Sequence, residues 1–307
     1  MKFLLWLVWL PVVVGFSSCA SHPCGQAMHP PKKSDFKFTH FGGKAHGFDV
    51  AVTPHAGAPL LITHGLGGLD PATLEWAKKL GENGWQVYMP LLDGPFNKCD
   101  AVGHYASLVQ SGRWTLDKPD SSGPVLDDVA ALADWISARH HRRIVVVGNC
   151  LTGGFPLALL GRPTVKTAVL CQPAMPLKTV GQVLFNVPQS PADTIGFGIP
   201  KAQLNASLHA LQTDSSKHLY GFHYLKDHLA PFEKFTWLHQ RMVKRGIGAR
   251  FKPIVLVPKG APDHQPWWER LDTTADPGFP GTHVTLTGAE MSDRTRLQRR
   301  FDELVRP

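Results

Sequence analysis

From residue 36 onward, short β-branched or aromatic runs alternate with segments whose apolar residues recur at helical spacing. The strand-like runs are Phe36 to Phe41, Phe48 to Val52, Pro59 to Thr63, Trp85 to Met89, Arg142 to Val147, Val165 to Cys171, His218 to Leu225 and Phe251 to Val257. Helical patterns fall between them at Pro71 to Asn83, Val125 to Arg139, Phe155 to Leu160, Lys201 to Gln212 and Phe232 to Lys244, with a last one at Asp293 to Leu304. The stretch through Asp93, Cys99 and Tyr105 reads as a loop, and Pro173 to Pro200 as an irregular excursion. Strands alternating with helices imply an α/β fold built on a doubly wound, mostly parallel sheet. In this reading Phe251 to Val257 is the last strand before the segment Thr282 to Thr287.

The first residues break the pattern. Met1-Lys2 precedes an apolar run from Phe3 to Phe16, too short for a comfortable membrane span, and Ser17-Ser18-Cys19-Ala20-Ser21 follows. This is an export signal over residues 1–19. Phe16-Ser17-Ser18-Cys19 resembles a bacterial lipoprotein signal, in which the cysteine is acylated and becomes the mature N-terminus; simple cleavage after Ala20 is the alternative. Residues 20–34 are polar and proline-rich and read as a flexible tether, leaving 35–307 as one domain. The expected location is the bacterial cell envelope or periplasm, with a lipid anchor at Cys19.

Composition narrows the partners. A chain of 307 residues, 43% hydrophobic, can bury one large core. The formal charge of +8 is scattered apart from a cluster between Arg294 and Arg300, expected on the solvated face of the last helix. No basic stripe interleaved with aromatics is present, so nucleic acid is not an expected partner. Export makes the compartment oxidising, and Cys24, Cys99, Cys150 and Cys171 remain beside Cys19. A disulfide between Cys24 and Cys99 is open, Cys171 reads as a buried thiol, and the absence of CxxC or Cys/His ligand spacing argues against a metal site.

The chemistry concentrates at Gly148-Asn149-Cys150-Leu151-Thr152-Gly153-Gly154, where a buried strand runs into a sharp turn and an apolar helix. A cysteine at such an apex is exposed in a strained conformation above the sheet, and the helix N-terminus behind it favours a thiolate. Two later residues complete a nucleophile, acid and histidine order: Asp227, after His218 to Leu225, and His283, in Gly281-Thr282-His283-Val284-Thr285-Leu286-Thr287. Asp263 also follows a strand, but placing the acid there leaves only the strand that holds His283 itself, so strand counting favours Asp227. Oxyanion donors are expected from the backbone N–H of Leu151 and of Leu66, in His64-Gly65-Leu66-Gly67-Gly68; this glycine loop lacks the GxGxxG spacing of a dinucleotide site.

These residues resemble the dienelactone hydrolase family, a branch of the α/β-hydrolases with a cysteine nucleophile. The likeness lies in the elbow, in Cys171-Gln172-Pro173, in Gly221-Phe222-His223-Tyr224-Leu225-Lys226-Asp227 followed by Pro231 and Phe235, and in His283-Val284-Thr285-Leu286-Thr287. The resemblance implies an α/β-hydrolase fold, a Cys150–His283–Asp227 triad, a small ester or lactone substrate and no metal or organic cofactor. Two departures bear on the substrate: Thr152 stands where many elbows have glycine, and no glutamate follows His64. Residues 261–280, with Trp267 and Trp268, either roof the approach to His283 or pack locally on the surface. The rival readings are a non-catalytic envelope protein that binds a ligand on the same fold and a redox protein using Cys150 with Cys171.

Overall fold

The structure is a computed structural model and describes residues 27–42, 47–177, 196–227, 230–258, 266–273 and 291–306. Its strands are β1 (Lys37–Phe41), β2 (Phe48–Val52), β3 (Ala58–Thr63), β4 (Trp85–Pro90), β5 (Ile144–Asn149), β6 (Val165–Cys171), β7 (His218–Tyr224), β8 (Phe251–Pro258) and β9 (Glu269–Thr273). They form one sheet in the order β1-β2-β4-β3-β5-β6-β7-β8-β9. β1 and β2 pair antiparallel, β2 joins β4 antiparallel, and every pair from β4 to β9 is parallel.

Helices α1 (Pro71–Glu82), α2 (Ala101–Ser111), α3 (Val125–His140), α4 (Phe155–Leu159), α5 (Lys201–Thr213), α6 (Glu233–Val243) and α7 (Met291–Leu304) cover both faces. Alternation along the central strands decides which face each residue serves. Ile144 and Val146 join the cluster under α3, α4, α5 and α6, while Val145 and Val147 join the cluster under α1 and α7. All six residues of β3 and of β5 are buried, as strands covered on both faces must be.

Three sequence expectations change. The stretch read as a loop contains α2, which begins where the Asp100 carboxylate accepts from Gly103 N–H and stops at Gly112 with φ 65°. Phe251 to Val257 is not the last strand before residue 282, because β9 pairs with β8; its sequence, Glu-Arg-Leu-Asp-Thr, is a charged edge without apolar alternation. The arginine cluster does not simply face solvent. Arg294 is buried, Arg300 grips Glu269 at 2.6 Å, and Arg296 donates to the Asp272 carbonyl at 2.7 Å, so α7 is fastened to β9.

The tryptophans of the 261–280 segment pack locally. Trp267 stacks on His239 of α6 with ring centroids 4.2 Å apart, and Trp268 is buried against Val255, Val257 and Phe232. Cys99 is disulfide-bonded, whereas Cys150 and Cys171 form no disulfide. Cys19 and Cys24 lie outside the described residues, as do the signal and residues 20–26 of the tether.

Candidate active site

β5 ends at Asn149, and the chain turns at Cys150 with φ 52°, a left-handed conformation that costs a non-glycine residue energy and persists where the surroundings hold it. Here the surroundings are explicit. The Cys150 carbonyl accepts N–H bonds from Gly153 and Ala174, both at 2.9 Å. A Cβ on Gly148 would lie 2.3 Å from the Thr152 carbonyl oxygen, and one on Gly153 would lie 2.5 Å from Pro173 Cα, so only glycine admits this turn at those positions. Thr152, the departure from the usual glycine, is buried and donates to the His64 carbonyl at 3.0 Å and the Asn149 carbonyl at 3.2 Å. Its hydroxyl ties the elbow to the end of β3.

The β3 loop lies directly against the cysteine. A Cβ on Gly65 would sit 3.0 Å from Cys150 Cβ and 3.5 Å from its Sγ. The Gly65 carbonyl accepts from Gly68 N–H at 3.1 Å, and the Gly67 carbonyl from Asp100 N–H at 3.2 Å. The Leu66 carbonyl takes a bond from His104 Nδ1 at 2.8 Å. In a trans peptide the N–H points opposite to the carbonyl, so the Gly65 contact aims the Leu66 N–H away from the Gly68 side of the turn. Leu66 is half-buried and Leu151 is buried, each beside the elbow.

His64 and His104 hold this loop from behind. Leu92 N–H donates to His64 Nε2 at 3.0 Å, which fixes the proton on Nδ1, where it is donated to the Gly65 carbonyl at 2.9 Å. Both needs are met by a neutral ring. Burial, reinforced by neighbouring His104, lowers the His64 pKa to about 3. The unfolded chain titrates at this histidine near 6.5, so between 6.5 and about 3 it holds more protons than the folded one. His64 therefore contributes stability above pH 6.5 that is lost as pH falls toward 3. The urea midpoint should be lower at pH ~5 than at pH ~7.5, and His64→Gln should flatten that slope; equal slopes in the two proteins would refute the assignment.

The acid candidate stands at the end of β7. Asp227 is 6% exposed; its carboxylate accepts from Gln172 Nε2 and, at 3.1 Å, from Ala230 N–H. Gln172 follows β6 with φ 43°, and its N–H bonds the Phe222 carbonyl at 3.1 Å. The strand ends of β5, β6 and β7 thus bring Cys150, Gln172 and Asp227 to one sheet edge, where open α/β sheets bind ligands. His283 and the alternative acid Asp263 lie outside the described residues.

Four residues were not assigned from sequence. Thr152 looked like a departure and Gln172 like part of a short motif. His104 lay in the supposed loop. Lys234, which donates to the carbonyls of Pro173, Ala174 and Met175 from inside the protein, could have been noticed as a charged residue on the apolar face of α6. Among the described residues no group of His, Cys, Asp and Glu could hold a metal ion.

No family model and no curated protein matches the chain. Solved structures do. A Klebsiella pneumoniae protein assigned as a dienelactone hydrolase aligns with 89% of this chain and 98% of its own, at TM-score 0.52 and 16% identity. A Staphylococcus aureus protein assigned as an esterase aligns with 92% of this chain and 88% of its own, at TM-score 0.52 and 9% identity. The acylaminoacyl peptidase of Pyrococcus horikoshii aligns with 88% of this chain at TM-score 0.51 and 10% identity, the match spanning 41% of the peptidase. At such identities the likeness is one of fold, and with the sheet order and the elbow after β5 it establishes that this chain has the α/β-hydrolase fold.

Proposed function

We propose that the protein hydrolyses a small carboxylic ester or lactone by acyl transfer through Cys150. The observation that carries this reading is the strained elbow: a partly exposed cysteine, not disulfide-bonded, at φ 52° after the central strand, packed against the glycine loop at the end of β3. In this mechanism His283, oriented by Asp227, takes the thiol proton, and the thiolate attacks the carbonyl carbon. The N–H groups of Leu66 and Leu151 stabilise the tetrahedral oxyanion, each such donor being worth about 3 kcal/mol of barrier. Collapse breaks the C–O bond as His283 returns its proton to the leaving alcohol. Water, deprotonated by the same histidine, then cleaves the thioester and releases the acid.

Thr152 supports this reading by fastening the two halves of the oxyanion site to each other, and Gln172 by holding the Asp227 carboxylate. The exported location also belongs to the proposal, with a lipid anchor at Cys19 and the domain in the bacterial envelope. The disulfide at Cys99 suits an oxidising compartment.

A thioester intermediate is the discriminating species. Protein quenched in acid during turnover of p-nitrophenyl acetate should carry an acetyl group on the peptide containing Cys150, removable by hydroxylamine. Sustained turnover with the acetyl group on a serine, or on no residue, would refute the cysteine mechanism.

A further inference from the structure

Helix α6 carries a charged residue on its apolar face. Its buried positions are Lys234, Phe235, Leu238 and Met242, and Lys234 is 1% exposed. Lysine stems ordinarily run outward and leave the ammonium in water. This one starts in the first turn of a helix that follows β7, and helical Cβ atoms lean toward the N-terminus, so the side chain is carried to the sheet edge that holds the elbow.

The ammonium is caged there. Lys234 Nζ lies 2.9 Å from the Pro173 carbonyl oxygen, 3.2 Å from that of Ala174 and 2.5 Å from that of Met175. Three acceptor-only partners require three donors, which the protonated amine has and the neutral amine lacks. The gripped segment is the one whose Ala174 N–H bonds the Cys150 carbonyl and whose preceding residue, Gln172, bonds the Asp227 carboxylate. Burial draws the Lys234 pKa down to about 7, and the charges of Asp227 and Cys150 oppose that fall. Such attraction is mutual: a cation stabilised by a thiolate stabilises the thiolate.

We propose that Lys234 is a positioning residue of the active site: by gripping three successive carbonyls it holds Gln172 on Asp227 and Ala174 on the elbow, and it keeps a positive charge within reach of the Cys150 thiolate. The inference rests on the acyl-transfer reading. The titratable groups around this charge are Cys150 at the elbow and Asp227 after β7, whose charges act on it, and His223, whose ring packs against Phe232 and Phe235 beside it; on α6 itself Glu233 is exposed and His239 stacks on Trp267.

The test is the pH dependence of iodoacetamide alkylation at Cys150 in the unaltered protein, in Lys234→Met and in Lys234→Gln, with kcat and KM for p-nitrophenyl acetate measured beside it. Both variants should move the alkylation midpoint up by about one unit, the expected effect of losing one nearby opposite charge. They should lower kcat at neutral pH with little change in KM. Folded variants with an unmoved midpoint would overturn the proposal, and so would a shift in Lys234→Met that Lys234→Gln abolishes, since glutamine replaces donors but not charge. If neither variant folds, the unaltered protein still tests it: a midpoint at or above the free-thiol value of ~8.5 overturns the proposal. Alkylation needs no turnover. A chain without esterase activity but with the shifted midpoint would remove the acyl-transfer reading and leave the role of Lys234 standing.

Discussion

Cys150→Ala should reduce hydrolysis of p-nitrophenyl acetate by about 10³-fold or more, because removing a covalent nucleophile leaves only oxyanion stabilisation and substrate binding. The variant should fold, since alanine is smaller than cysteine and the backbone contacts at residue 150, from Gly153 and Ala174, involve its carbonyl and not its side chain. Residue 150 keeps φ near 52° in either protein, a conformation that alanine tolerates no worse than cysteine. A melting temperature within a few degrees of the parent therefore accompanies the loss of rate, and this pairing separates the chemistry from stability. Equal rates would remove Cys150 from the reaction. Negligible rates in both proteins, with a ligand that raises the melting temperature of both, would favour the binding-protein reading, for which the cysteine is a structural thiol.

The central sheet was legible because its strands are buried on both faces and read as continuous β-branched runs, such as Ile144 to Val147. The elbow was legible for a related reason: a left-handed turn between such a strand and a helix needs small neighbours, and Gly148, Gly153 and Gly154 flank Cys150 in sequence, each where a Cβ would collide with Thr152, Pro173 or Phe197. What the sequence concealed had its physical cause elsewhere in the chain. α2 begins at an Asp100 cap, but Gly103 and His104 in its first turn dilute the apolar pattern. β9 is an edge strand held by pairing with β8 and by arginines of α7, neither of which leaves a periodic mark on Glu269 to Thr273. Gln172 and Lys234 act through partners 55 and about 60 positions away, so no local pattern announces them.

Asp227→Asn is the second large effect. The carboxylate accepts from Gln172 Nε2 on one oxygen and from Ala230 N–H on the other. An asparagine offers one acceptor and one amino group, so one of those donors must face another donor inside a site that is 6% exposed. The negative charge that stabilises an imidazolium disappears at the same time, and Lys234 loses one of the two charges that favour its ammonium. A fall in kcat of about 10²- to 10⁴-fold is expected, with a smaller change in KM, because the acid acts mainly when charge develops on the histidine. Loss of the Lys234 counter-charge should also lower the melting temperature, which Cys150→Ala should not do to the same extent. Asp263→Asn is the control for the acid: if it removes activity and Asp227→Asn does not, the acid lies after β8, and the carboxylate at the end of β7 serves to hold Gln172 and the Lys234 cage in place.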